Sequence, residues 1–126
     1  MPGRRIRVVH CDDSPSFLVL VKHWFEDHPD LELVHSALGL RDAIEQIRAL
    51  QPDVIVTDTF GSAGDAASLA WLHDAAPGAR LVVFTGYRES QLHADLVALA
   101  DAVVTKGLDE DALVGTIRRI AGERSG

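Results

Sequence analysis

The chain has 126 residues, 47% of them apolar, and carries 12 Lys+Arg against 19 Asp+Glu for a formal net charge of −7. That length and apolar content suit one domain with a real core, and the acidic balance argues against a nucleic-acid surface made of phosphate-neutralising side chains. A single cysteine, Cys11, leaves no internal disulfide and fits a reducing compartment, while no apolar run nears the ~20 residues of a membrane span and no signal-type segment follows the basic start, so a soluble cytoplasmic protein without a membrane partner is expected.

Ile6-Arg7-Val8-Val9-His10-Cys11 reads as the first strand, broken by Asp12-Asp13-Ser14-Pro15. Ser14 followed by Pro15 suits a helix start, a side-chain cap and then a residue that needs no N–H donor. Phe17, Leu18, Val21, Trp24 and Phe25 recur at helical spacing until His28-Pro29. The more polar Leu31 to His35 suits an edge strand, and Leu40, Ala43, Ile44, Ile47 and Leu50 mark a second amphipathic helix that ends before Gln51-Pro52.

Val54-Ile55-Val56-Thr57 has no polar face, as expected of a strand covered on both sides, and it ends on Asp58. A glycine-bearing loop, Thr59 to Gly64, then leads into an alanine-rich helix over Asp65 to Ala76, closed by Pro77-Gly78. Leu81 to Phe84 is a further apolar strand, closed by Thr85-Gly86-Tyr87. Leu92, Leu96 and Leu99 place a fourth helix over Glu89 to Ala100, a weak amphipath. Ala102 to Thr105 forms the fifth strand, followed by Lys106-Gly107. The last helix has Asp109, Glu110 and Asp111 in its first turn, Leu113, Ile117 and Ile120 inward, and Arg118-Arg119 near its end, charges ordered as the helix dipole prefers. Strand and helix alternate throughout, so the fold class is α/β, a doubly wound (βα)5 sheet in three layers.

In an open parallel sheet the strand exits share one edge, where ligands bind. Asp12, Asp13 and Asp58 would repel one another there, which a hard divalent cation relieves. Mg2+ suits that role because it takes one or two carboxylates, keeps waters and binds phosphate oxygens. Lys106 adds a point charge and Thr85 a hydroxyl donor for a phosphoryl group, leaving Asp58 as the nucleophile of an aspartyl phosphate.

Asp12-Asp13 after the first strand, Asp58 after the third, Thr85 after the fourth and Lys106 after the fifth resemble the receiver domain of bacterial two-component response regulators, over essentially the whole chain. The resemblance implies a flavodoxin-like sheet of order 2-1-3-4-5 and one receiver domain over residues 1–126, with its core from about 5 to 121 and a tail or linker start at 122–126. It implies phosphoryl transfer from a sensor histidine kinase to Asp58. Asp13, Asp58 and the backbone carbonyl of Phe60 would bind Mg2+ directly, Asp12 would assist, and Thr85 and Lys106 would meet the phosphoryl group. The change would reach a partner, or a second copy in a homodimer, through the face of the fourth helix, fifth strand and last helix. Such a domain is a regulatory phosphoacceptor that catalyses only its own phosphorylation and dephosphorylation. Ile117 to Gly122 is similar to the end of receivers that precede a helix-turn-helix domain, so DNA contact would require an output domain outside this chain.

Three departures bear on switching: Val103 stands where the family usually has an aromatic, Gly107 where it often has proline, and Thr59-Phe60-Gly61 where Met-Pro is often seen. They motivate an alternative, an atypical receiver acting as a phosphorylation-independent interaction module. A free phosphohydrolase is disfavoured because no second carboxylate stands two residues after Asp58 and no Walker loop is present. Phe60 and Tyr87 either shield the phosphoryl group or pack on the loop or on a partner. The six histidines lack metal-ligand spacing and read as surface or strand residues, and Cys11 as a small buried hydrophobe.

Overall fold

A computed structural model describes residues 4–59, 66–107 and 109–123. The strands β1 (Ile6–Cys11), β2 (Leu31–Ala37), β3 (Val54–Thr57), β4 (Arg80–Thr85) and β5 (Ala102–Thr105) alternate with the helices α1 (Pro15–Glu26), α2 (Leu40–Leu50), α3 (Ala66–Ala75), α4 (Ala94–Leu99) and α5 (Glu110–Glu123). All strand pairs are parallel and the order is β2-β1-β3-β4-β5, as the resemblance implies.

Period-two alternation along the strands divides the core. Val9, Cys11, Ile55, Leu81 and Val83 face α2 and α3, where Ala43, Ile47, Leu69 and Leu72 are buried. Val8, Val54, Val56, Val82 and Phe84 face α1 and α5 and pack with Val21, Trp24, Phe25, Leu113 and Ile117. Since both faces of β3 are covered, its four residues are all buried and polar alternation is lost. β2 is half-buried over most of its length, as an edge strand should be.

The opposite end of the sheet is stitched by aspartates. Asp53 Oδ2 accepts the Arg7 N–H at 2.9 Å, and Asp101 Oδ2 accepts the Leu81 N–H at 2.7 Å. Each carboxylate fixes the start of a neighbouring strand and thereby its register.

Several local expectations differ from the structure. The stretch 89–100 is not one helix but a 3-10 turn, Glu89–Gln91, followed by α4. Leu92 and His93 between them are extended, at φ/ψ −85°/153° and −62°/138°, and the Gln91 side-chain oxygen takes the Arg88 N–H at 2.8 Å, closing the turn locally. Ser14 is the N-cap residue of α1 but makes no side-chain cap bond; its own N–H instead donates to Asp12 Oδ1 at 2.9 Å. Asp109 caps α5, its Oδ1 accepting the Ala112 N–H at 3.2 Å. The expected helix start at Asp65 lies outside the described residues. α2 ends on Gln51 in the left-handed region at φ 46°, a conformation usually left to glycine. The Gln51 side-chain amide offsets the strain by donating to Arg48 O at 3.0 Å and Ala75 O at 2.8 Å.

Candidate functional site

Sheet register brings the site together. Cys11 pairs with Thr57 across β1 and β3, so the next residues, Asp12 and Asp58, leave the sheet side by side. The Asp58 N–H donates to Cys11 O at 2.9 Å and holds that alignment. Thr85 pairs with Thr105 across β4 and β5, and the Lys106 N–H donates to Thr85 O at 2.7 Å, so Lys106 leaves one step beyond Thr85.

The side chains then converge. Lys106 Nζ stands 2.7 Å from Asp12 Oδ2 and 3.2 Å from Asp58 Oδ1. One carboxylate oxygen from each of Asp12, Asp13 and Asp58 lies within 4.8 Å of the other two. Asp12 is fully buried and Asp58 is 9% exposed, whereas Asp13 is exposed. Burial pushes the Asp12 carboxyl above the usual carboxylate range, against the opposing pull of the Lys106 ammonium and the Ser14 N–H. Three carboxylates facing one ammonium leave negative charge in excess, and an all-oxygen donor set of this spacing suits a hard divalent cation.

Thr85 is buried, with its Oγ1 at 3.2 Å from Thr59 Oγ1 and accepting the Tyr87 N–H at 3.3 Å. The threonine thus touches the residue immediately after Asp58. Tyr87 and Val103 are partly buried and pack against the core face shared with α2 and α3. Phe60, whose carbonyl the resemblance makes a metal ligand, lies outside the described residues.

Sequence reasoning assigned no role at the site to two residues beside it. His10, on β1, is fully buried. Neither ring nitrogen has a hydrogen-bond partner among the described residues, and Nε2 lies 3.9 Å from Asp12 Oδ2. Burial, then Lys106, lowers its pKa to about 4, so the ring is neutral at physiological pH. Phe17, on α1, places its ring centroid 4.4 Å from Lys106 Nζ. A histidine inside an apolar strand, two residues before an acid pair, was the available signal for the first. The second becomes visible only when the fold brings α1 beside Lys106.

Fold and site together define a class: the chain folds as a receiver domain of the kind found in two-component response regulators. A LuxR-family two-component response regulator from Aurantimonas superposes with a TM-score of 0.82 at 25% identity, over 95% of this chain and 87% of that one. A CheY-like response regulator receiver domain protein from Methanospirillum hungatei gives 0.83 at 20% identity, over 96% and 97%. In sequence, a protein-glutamate methylesterase/protein-glutamine glutaminase of Alkalilimnicola ehrlichii is 41% identical over 54 residues, which are 43% of this chain and 14% of that protein. The chain thus matches only a small part of that relative's length. No protein-family model matches the chain. Among the described residues no helix is long and apolar enough to cross a membrane.

Proposed function

We propose that this chain is a phosphoacceptor receiver domain, in which Asp58 takes a phosphoryl group from a sensor histidine kinase. The observation that carries this reading is the placement of the Lys106 ammonium at 2.7 Å from Asp12 and 3.2 Å from Asp58, beside a cluster of three carboxylates. A carboxylate oxygen of Asp58 forms the new P–O bond while the P–N bond to the donor imidazole breaks, the electron pair leaving with the nitrogen. Lys106 pairs with a phosphoryl oxygen as charge shifts outward, and the Thr85 hydroxyl donates to another. Asp12, Asp13 and Asp58, with the Phe60 carbonyl, would hold Mg2+, which supplies further neutralisation of the phosphoryl charge.

The domain's chemistry is then limited to its own phosphorylation and dephosphorylation in the cytoplasm. Its output passes through the face of α4, β5 and α5 to a partner or a second copy, and any DNA contact belongs to an attached output domain. With Val103 in place of an aromatic, the coupled threonine and aromatic movement usual in such domains cannot take its ordinary form.

Incubation with acetyl phosphate and Mg2+, followed by intact-mass measurement and reductive trapping of the acyl phosphate, tests the reading. One phosphoryl group should appear on Asp58 and none on the Asp58→Asn protein. A native chain that gains no mass under these conditions contradicts it and leaves the phosphorylation-independent interaction module.

A further inference from the structure

Lysine carries three ammonium N–H donors and no acceptor, and the surroundings of Lys106 present three partners. Two are the carboxylates at 2.7 Å and 3.2 Å. The third is the Phe17 ring, whose centroid lies 4.4 Å from Nζ, well inside the distance at which a cation is drawn to an aromatic face. The lysine side chain is only 12% exposed, so the contact is largely desolvated, the condition in which it is strongest.

The ring is itself held. Phe17 stands edge-on to Phe84, with centroids 5.8 Å apart and planes at 84°. Phe84 is 1% exposed and immediately precedes Thr85. It is braced in turn by Trp24 at 6.5 Å and His10 at 6.4 Å. Side chains from α1, β1 and β4 therefore fix the plane that meets the ammonium. The residue after Lys106, Gly107, adds no side chain, and a Cβ built there would meet no atom of the described residues within 4 Å. A flexible four-carbon stem needs a fixed surface to aim its charge.

We propose that Phe17 is a positioning residue for phosphoryl transfer, its ring face serving as the third partner of the Lys106 ammonium and keeping it aimed between Asp12 and Asp58. The role in transfer rests on the reading of Asp58 as phosphoacceptor; the ring-to-ammonium contact does not. Without the aromatic face the ammonium exchanges that contact for water and samples positions away from the acids. Phosphorylation should then slow, and a tetrahedral anion on Asp58 should be held less tightly.

Four variants separate electronics from packing: Phe17→Tyr and Phe17→Trp keep a negative ring face, Phe17→Leu removes the ring, and pentafluorophenylalanine at 17 keeps its outline but reverses its quadrupole. Measured with acetyl phosphate and Mg2+, the leucine and pentafluoro proteins should be phosphorylated about tenfold more slowly, with weaker beryllofluoride binding. Tyrosine and tryptophan should stay within about twofold of native. In the metal-free protein the Lys106 ε-CH2 protons should be shifted upfield by the ring current and return toward the free-lysine position in Phe17→Leu. A pentafluoro protein that reacts like native, or native ε protons at the free-lysine position, overturns the proposal. If Phe17→Leu unfolds, the shape-conserving pentafluoro protein decides. If native chain takes no phosphoryl group at Asp58, the functional reading fails separately and the proton shift still reports on the ring.

Discussion

At the scale of single residues, Lys106 occupies the position that a bound cation's charge would otherwise share, since it neutralises Asp12 and Asp58 directly. Replacing it with an uncharged side chain of similar length takes that ammonium away from the cluster of three carboxylates. Lys106→Met should therefore bind Mg2+ more tightly in a titration while being phosphorylated about a hundredfold more slowly, and weaker Mg2+ binding would contradict this view of the electrostatics. Cys11 makes a contrasting case one residue before the acid pair. Its thiol is fully buried and pushed up to about 12, chiefly by burial and then by Asp12, so almost no thiolate exists at neutral pH. Iodoacetamide should label it only as fast as the chain unfolds, and rapid labelling of folded protein would mean that β1 opens locally. The site acids were legible because each interrupts or ends an apolar run. Phe17 was not, because it fits the periodicity of α1 and takes on meaning only beside Lys106; the polar ring inside β1 marked His10 as unusual but not what it would lie against.

Among elements, α5 is tied to the turn after α1 by charge. Arg118 makes a two-pronged contact with Asp30, Nε to Oδ2 at 2.7 Å and Nη2 to Oδ1 at 2.8 Å, and its Nη2 also meets His28 Nδ1 at 3.0 Å. That contact makes Nδ1 the acceptor, so His28 Nε2 carries the proton donated to Glu110 Oε2 at 2.8 Å. The sequence pattern assigned Arg118 to the helix dipole, whereas its partner lies in a distant turn. The hydrogen-bonded guanidinium holds the Asp30 carboxyl below its usual range. A depressed carboxyl pKa contributes stability that is present above the unfolded value of about 3.9 and lost as pH falls through the lower folded value. Both side chains are close to half exposed, at 44% and 45%, so solvent screening limits the pair to about 0.5–1 kcal/mol. Urea unfolding of native and Asp30→Asn proteins should differ by that amount at pH 7 and converge as pH falls through the lowered folded pKa of Asp30; a difference that persists once the carboxyl is protonated would assign the effect to packing. The same scale explains the misreading of residues 89–100. Leu92, Leu96 and Leu99 satisfy a helical repeat, but periodicity records which residues are buried, not whether the backbone between them is continuous. The local bonds around Gln91 break it.

For the whole molecule, architecture was legible because a parallel sheet writes itself plainly: apolar strands, amphipathic helices and polar exits in strict alternation. Strand order was available only from the family resemblance, since Val8, Val54 and Val82 could be arranged in several sequences without changing their burial. The site was legible in residue type but not in contact. Nothing in the order of residues sets Lys106 against Asp12 rather than against solvent; the β1–β3 and β4–β5 registers do that. These registers make the side chains converge on Asp58, and a crystal structure with Mg2+ and beryllofluoride tests that convergence most directly. Beryllium should sit on a carboxylate oxygen of Asp58, with one fluoride against Lys106 Nζ and another against the Thr85 hydroxyl, and Mg2+ ligated by Asp13 and Asp58. Beryllofluoride elsewhere on the chain, or Asp58 bare with Lys106 turned to solvent, would contradict it.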